Sequence, residues 1–323
     1  MSHKNNLTVL ILGGAGFIGS NIVQKFCAEG YNVIVIDGLL NQTGGKRDNL
    51  KQVISNIQFI ESKIEDAPHL DKIIQKTNLI IDCMAWTSHH LAVDDPVYDL
   101  KLNTESHLYF IRHLKKLPDR KVIYLGSRSQ YGNPDTDEIT EDTPMLPIDI
   151  QGIHKLASES YLRVYSRLYG LNVISIRFPN CFGKNQPVKG KDIGLIGSFI
   201  RGIMENRVIE IFQSNRSRSI AYVKDLSDLV FMLSAKSFAG FNAFNYCGQE
   251  ILIENLVKII IEIAGKGEYQ IREMPDEIKA IDIGNKRCND EKLRLFLHAI
   301  PQTDLNTALA ATISYFKEQI NDL

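Results

Sequence analysis

The stretch Gly13-Gly14-Ala15-Gly16-Phe17-Ile18-Gly19 follows an apolar run, Thr8–Leu12, and opens a helical pattern. Glycines at 14, 16 and 19 give it the spacing G-x-G-x-x-G. Glycine permits a tight turn and lets the backbone approach a pyrophosphate, while the first N–H groups of the helix and its dipole favour negative charge. A strand before the loop and a helix after it are the context in which this spacing carries meaning. It predicts a dinucleotide site with Gly13, Gly16, Phe17, Ile18 and Gly19 against the cofactor. Asp37 ends the second apolar run, about 20 residues beyond the loop. A carboxylate there accepts from ribose hydroxyls and repels a 2′-phosphate, so NAD is predicted over NADP. Asp66, after the third strand, either accepts from the adenine amino group or caps a helix.

These residues need a scaffold, and the first half of the chain supplies a repeating one. Thr8–Leu12, Asn32–Ile36, Ile57–Glu61, Leu79–Cys83, Lys121–Leu125 and Asn172–Arg177 read as strands. They are continuous apolar runs, which suits a parallel sheet buried on both faces. Helical patterns lie between them at Ile18–Glu29, His69–Lys76, Tyr98–Leu117 and Ile153–Tyr169. Strand and helix in alternation predict an α/β fold, a doubly wound, Rossmann-like parallel sheet. After about residue 180 the alternation weakens, and Ile196–Glu205, Leu252–Ala264 and Thr303–Gln319 look helical beside short β-like pieces. The expected organisation is an NAD-binding domain over 1–180 with a return segment near 215–247. A smaller, interwoven α+β substrate lobe is expected over 181–323.

Composition narrows the partners. The chain has 323 residues, with 37 Lys and Arg against 38 Asp and Glu, a net charge of −1. That balance offers no bulk attraction for nucleic acid or anionic membrane. No apolar run is long enough to span a bilayer, and the polar start, Met1–Asn6, has no signal-peptide core. Five cysteines, at 27, 83, 181, 247 and 288, form no C-x-x-C pair. This argues against a zinc ribbon or disulfide scaffold, predicts no metal site and suits a reducing cytoplasm.

The sequence resembles the extended short-chain dehydrogenase/reductase family, the nucleotide-sugar epimerases, dehydratases and dehydrogenases. The resemblance runs through GGAGFIG at Gly13–Gly19, the Asn after a Pro-containing loop (Asp95-Pro96 to Asn103), and YLGSRSQYG at Tyr124–Gly132. It continues through RFPNCFG at Arg177–Gly183 and SRSIAYVKDL at Ser217–Leu226. It implies NAD chemistry on a sugar carried by a nucleoside diphosphate. Ser127 stands where the family keeps a Ser or Thr on the reacting sugar hydroxyl, and Lys155 where it keeps the lysine of the nicotinamide ribose. Asn180 and Arg218 match residues that contact the substrate diphosphate, with Arg287 a further candidate. Asn103 and Ser88 are expected on the substrate side and Ala85 on the cofactor side. Ser127 could instead be a strand-end hydroxyl, and Arg218 a solvated surface charge.

One departure bears on mechanism. The family's motif is Tyr-x-x-x-Lys, and four residues before Lys155 stands Gln151. Positions 151 and 155 share a helix face, but an amide has no proton to give or take near neutral pH and can only orient by hydrogen bonding. His89 and His90, in the loop after the fourth strand, offer a group that titrates in the useful range. His154 points about 100° away from Lys155 on the helix. A water relay through Ser127 and Gln151 is the other route. The family's dehydratases follow the Ser/Thr with an Asp-Glu pair, and Arg128-Ser129 here disfavours that reaction.

The expectation is NAD-dependent oxidation of a nucleoside-diphosphate hexose or heptose, with hydride leaving C4 to give a 4-keto sugar. A 4-epimerase is the alternative, and a noncatalytic binder of NAD and nucleotide sugar is the alternative of another class. The helices Tyr98–Leu117 and Ile153–Tyr169 resemble the family's dimer-forming pair, so a homodimer or larger homo-oligomer is expected. Leu156, Tyr161, Leu162, Tyr165 and Leu168 either serve that interface or face the core.

Overall fold

The computed structural model describes residues 7–190, 193–276, 279 and 284–321, so the polar start at 1–6 lies outside the described residues. The chain begins with β1 (Thr8–Leu12), α1 (Phe17–Ala28), β2 (Asn32–Asp37), β3 (Ile57–Glu61), α2 (Leu70–Lys76) and β4 (Leu79–Asp82). Next come α3 (His89–Asp94), α4 (Pro96–Leu100), α5 (Ser106–Ile111), β5 (Lys121–Leu125), β6 (Glu138–Ile139), α6 (Ile150–Tyr169) and β7 (Asn172–Arg177). The second half carries β8 (Asn180–Phe182), α7 (Leu195–Met204), β9 (Ile209–Phe212), β10 (Ser217–Tyr222), α8 (Val223–Ala235) and β11 (Phe241–Asn245). It closes with β12 (Gln249–Leu252), α9 (Ile253–Ala264), β13 (Tyr269–Arg272), β14 (Arg287–Cys288), α10 (Glu291–Leu297) and α11 (Leu305–Asn321).

The main sheet has the order β11-β7-β5-β4-β1-β2-β3, and every pair in it is parallel. Alternation along β1 shows why its strands read as unbroken apolar runs. Val9 and Ile11 enter one core with Ile22, Val23 and Phe26 of α1 and Leu226, Leu229 and Val230 of α8. Leu10 and Leu12 enter the opposite core with Ile73 and Ile74 of α2, Phe110 of α5 and Leu162 of α6. Both faces are covered, so both side-chain sets must be apolar. Each such aliphatic side chain contributes roughly 1.5–3 kcal/mol when fully buried. The strand order reverses between β1 and β4, and a crevice opens there at the strands' C-terminal ends.

A third core gathers Ile196, Phe199 and Ile200 of α7, Leu256, Val257 and Ile260 of α9, and Leu309, Ile313 and Phe316 of α11. These pack on a sheet ordered β12-β10-β8 and on the parallel pair β13-β9.

Two expectations change. The single helix predicted over Tyr98–Leu117 is segmented: α4 begins at Pro96, runs into a wider π-helical turn over Lys101–Glu105, then into α5. Proline at the first helical position fixes that start. The cysteines are not all unpaired: Cys247 and Cys288 form a disulfide, and Cys27, Cys83 and Cys181 are free. Among the described residues, no helix is long and apolar enough to cross a membrane.

Candidate active site

One cavity of about 610 Å³ runs from the glycine loop across the strand ends to β10. Gly13, Gly16, Phe17, Ile18 and Gly19 line it. At Gly13 and Gly19 the loop cannot carry a side chain. Gly13 has φ +69°, and a Cβ there would lie 3.0 Å from backbone atoms of Cys83 and Met84. A Cβ on Gly19 would lie 2.2 Å from the Gly13 carbonyl oxygen. α1 starts after Gly16 with no side-chain cap, so its first N–H groups are left for an anion. Asp37 lines the same cavity. Its carboxylate accepts from the N–H of Ala15 and of Leu39, both at 2.8 Å. Burial pushes its carboxyl upward, against those N–H groups. A bare-backbone cradle with a carboxylate at the next strand end fits a dinucleotide, with Asp37 free to accept from its ribose through remaining lone pairs.

Asp66 does not belong to this wall. It is exposed at the end of a short 3₁₀ turn, and Ser62, Lys63, Ile64 and Glu65 line the cavity instead. The turn presents the residues before Asp66, an outcome that position after a strand does not reveal.

The next part of the cavity wall is built on β5 and α6. Ser127 follows β5 and lines the cavity with Ser129, and their hydroxyl oxygens are 2.8 Å apart. The Ser127 N–H donates to Gln130 Oε1 at 2.7 Å, and Gln130 donates in turn to Glu159 at 2.8 Å. Glu159 is buried and holds Arg177 at 2.5 Å. The seat of Ser127 is thus tied to the core by a satisfied polar network. Lys155 lines the cavity and donates from Nζ to the carbonyls of Leu125, at 2.9 Å, and Met84, at 3.4 Å. Burial pushes its ammonium down to about 8, while Asp82 behind it pulls the other way.

Gln151 is buried, lines the cavity and donates from Nε2 to the Trp86 carbonyl at 3.0 Å. Asn103 grips the same peptide: its Oδ1 accepts from Trp86 N at 2.9 Å and its Nδ2 donates to Trp86 O at 2.8 Å. Asn103 is fully buried, does not line the cavity and holds the Trp86 loop from behind. Ser88 is likewise no cavity residue. It caps α3, its Oγ accepting from the Leu91 N–H. Ala85 and Thr87 of that loop do line the cavity.

His89 lines the cavity too, and its Nδ1 lies 3.5 Å from Asp149 Oδ1. Asp149 caps α6, accepting from the Gly152 N–H at 2.8 Å. Burial raises its carboxyl, but His89 and the Gly152 N–H outweigh that and hold it below the usual range. Asp149 is a cavity residue that the sequence reading missed, although an Asp before a helical run is a capping signal. The side chain of His90 lies outside the described residues. His154 turns away, its Nδ1 2.5 Å from Asp99.

Asn180 and Arg218 line the far end of the cavity. Arg218 donates to the carbonyls of Ser217, at 2.7 Å, and Gly284, at 3.2 Å. Arg287 does not reach the cavity. It is exposed on β14, which pairs with β6 along another edge. Among the described residues, no cluster of three or more His, Cys, Asp or Glu could hold a metal.

Comparison with known proteins agrees with this geometry. The family model described as "NAD dependent epimerase/dehydratase family" matches residues 9–247. A UDP-glucose 4-epimerase of Mycolicibacterium smegmatis is 27% identical over 319 residues, covering 97% of this chain and 99% of the relative. The structure of the UDP-glucose 4-epimerase of Thermotoga maritima with UDP-glucose superposes with a TM-score of 0.85 at 26% identity, covering 97% of this chain and 100% of that one. That of the UDP-N-acetylglucosamine 4-epimerase of Methanobrevibacter ruminantium, in complex with UDP-N-acetylmuramic acid, gives 0.87 at 25%, covering 97% and 99%. The family match takes in the glycine loop, Ser127, Lys155 and Arg218 alike, and by it the chain belongs to the NAD-dependent epimerase/dehydratase family, with NAD as its cofactor.

Proposed function

We propose that this enzyme oxidises a nucleoside-diphosphate sugar at C4 and, as a 4-epimerase, returns the hydride to the opposite face of the keto sugar. The observation that carries this reading is the single cavity that joins Ser127, Lys155 and His89 to the glycine loop on one side and to Asn180 and Arg218 on the other. NAD held by the loop, Asp37 and Lys155 supplies the hydride acceptor and donor. Arg218 and Asn180 hold the diphosphate by charge-assisted hydrogen bonds, which sets the sugar near Ser127. As the hydride leaves C4, the Ser127 Oγ accepts the proton of the C4 hydroxyl and, with Ser129 beside it, releases its own proton onward. His89 receives that released proton, with Asp149 orienting the ring, and the relay runs in reverse when the hydride returns. Gln151, engaged with Trp86, holds the loop that carries His89. Lys155 keeps a positive charge next to the reacting oxygen.

A second reading is net oxidation with release of the 4-keto sugar. Gln151 favours it, because a phenol that could serve both faces of the sugar is absent from its place. The exposed apolar side chains Val97 on α4 and Ile153, Val164 and Leu168 on α6 support a homodimer through these helices.

The test is incubation of the purified enzyme with UDP-glucose, UDP-N-acetylglucosamine and other nucleotide sugars, following 340 nm absorbance and sugar NMR. A C4 epimer with no lasting absorbance change is expected. A stoichiometric keto sugar with accumulating absorbance would replace epimerisation by net oxidation. Binding without turnover across the panel would overturn both.

A further inference from the structure

Among the described residues two arginines are deeply buried, and they differ in what neutralises them. Arg177 is held by Glu159 at 2.5 Å and by the Tyr131 hydroxyl. Arg128, 9% exposed, has only neutral partners: the Ser219 Oγ at 3.2 Å and the Lys286 carbonyl. Its Nε is buried without any partner. Among the described residues no carboxylate pairs with it. Arg218 stands close enough to repel it, and burial together with that repulsion pushes its guanidinium down from the ordinary value, with exposed Glu250 opposing weakly. A buried cation without a counter-ion destabilises the fold, and such an arrangement persists where a ligand brings the missing charge. Arg128 lines the cavity directly after Ser127, and its guanidinium and that of Arg218 are both anchored on carbonyls of the same segment, Lys286 and Gly284.

The geometry points to Arg128 as a second guanidinium for an anionic oxygen group of the bound sugar nucleotide, completing with Arg218 a two-arginine seat between the reacting hydroxyl and the diphosphate. The chemistry is a phosphate or carboxylate taken by the planar fork of N–H donors. Either the diphosphate or an acidic sugar substituent can bring it. This rests on the nucleotide-sugar reading above.

Binding to NAD-loaded wild type, Arg128→Met and Arg128→Lys is measured by calorimetry with UDP, dTDP, GDP, UDP-glucose and UDP-glucuronic acid. Unfolding of the ligand-free proteins is recorded alongside. Arg128→Met is expected to weaken binding about ten- to a hundredfold, the worth of a charged hydrogen bond, with Arg128→Lys between. A loss already present with a bare nucleoside diphosphate assigns the seat to the diphosphate. A loss confined to UDP-glucuronic acid assigns it to a sugar carboxylate. The ligand-free Met variant is expected to unfold at the same temperature as wild type or higher, because an unpaired buried charge has been removed. Unchanged affinities with a lowered unfolding temperature would make Arg128 a structural brace and overturn the inference, while leaving the nucleotide-sugar reading intact. Wild type that binds none of the five would overturn that reading and this inference with it.

Discussion

Lys155 shows how much one buried cation can cost a fold. Its ammonium sits in a buried pocket of carbonyls, and burial lowers its pKa to about 8. Below pH 8 the folded protein carries the full penalty of a buried charge. Between pH 8 and 10.5 the unfolded chain still holds the proton that the folded one has lost, so stability rises with pH across that window. The shift corresponds to about 3 kcal/mol. Lys155→Met is therefore expected to be more stable than wild type at pH 7, with the gap closing between pH 8 and 10.5, and to bind NAD poorly. Paired denaturation curves at stepped pH values, without NAD, check this, because titrating groups not coupled to Lys155 cancel in the difference. A gap independent of pH would remove burial as the cause. At this scale the sequence was partly legible. Glycine spacing, Asp37, Ser127 and Lys155 could be read because each is fixed by local order along the chain. Asp66, Ser88, Asn103 and Arg287 could not, because their orientation depends on turns and packing that no spacing records.

At the scale of elements, the loop after β4 is an irregular part of the cavity wall, and it is secured from behind. Asn103 fills both hydrogen-bonding positions of the Trp86 peptide and also donates to Asp99 at 3.0 Å. It sits in the π-helical turn at Lys101–Glu105, where the extra residue rotates the side chain towards the loop, as such turns do at functional sites. Asn103→Leu would leave the Trp86 N–H, buried with the indole, without its acceptor. A loss of about 2–4 kcal/mol is expected from the unsatisfied groups, read as a lower denaturant midpoint. Faster amide exchange over residues 85–89 should accompany it, since that backbone carries Thr87 and His89 into the cavity. Normal protection there would mean that Gln151, which shares the Trp86 carbonyl, suffices alone. Helix and strand existence was legible from periodicity, whereas the segmentation of Tyr98–Leu117 was not, since a π turn keeps the same apolar pattern while shifting its phase.

At the scale of the molecule, the Asn180 and Arg218 end of the cavity depends on contacts made far apart in sequence. β14 pairs with β6, and Cys288 on β14 is bonded to Cys247, 41 residues earlier, just after β11. No local pattern encodes that pairing, which is why scattered cysteines read as unpaired thiols. The bond ties down the segment whose Gly284 and Lys286 carbonyls anchor Arg218 and Arg128, and Asn245 at the end of β11 also donates to the Asn289 carbonyl at 3.2 Å. A loop of this length loses about 4 kcal/mol of unfolded-state freedom when it is closed. A reducing compartment would hold the pair open, so the oxidised and reduced forms should differ in both stability and substrate affinity. Air-oxidised protein, denatured without reductant, is expected to titrate three thiols, Cys27, Cys83 and Cys181, and five after reduction. Reduction or Cys247→Ser is expected to lower the unfolding temperature by an equal amount and to weaken nucleotide-sugar binding more than NAD binding, because the glycine loop lies at the other end of the cavity. Five thiols before reduction would show that β14 is held by its ladder and by Asn245 alone, and the two arginines would then owe their placement to hydrogen bonds rather than to a covalent tie.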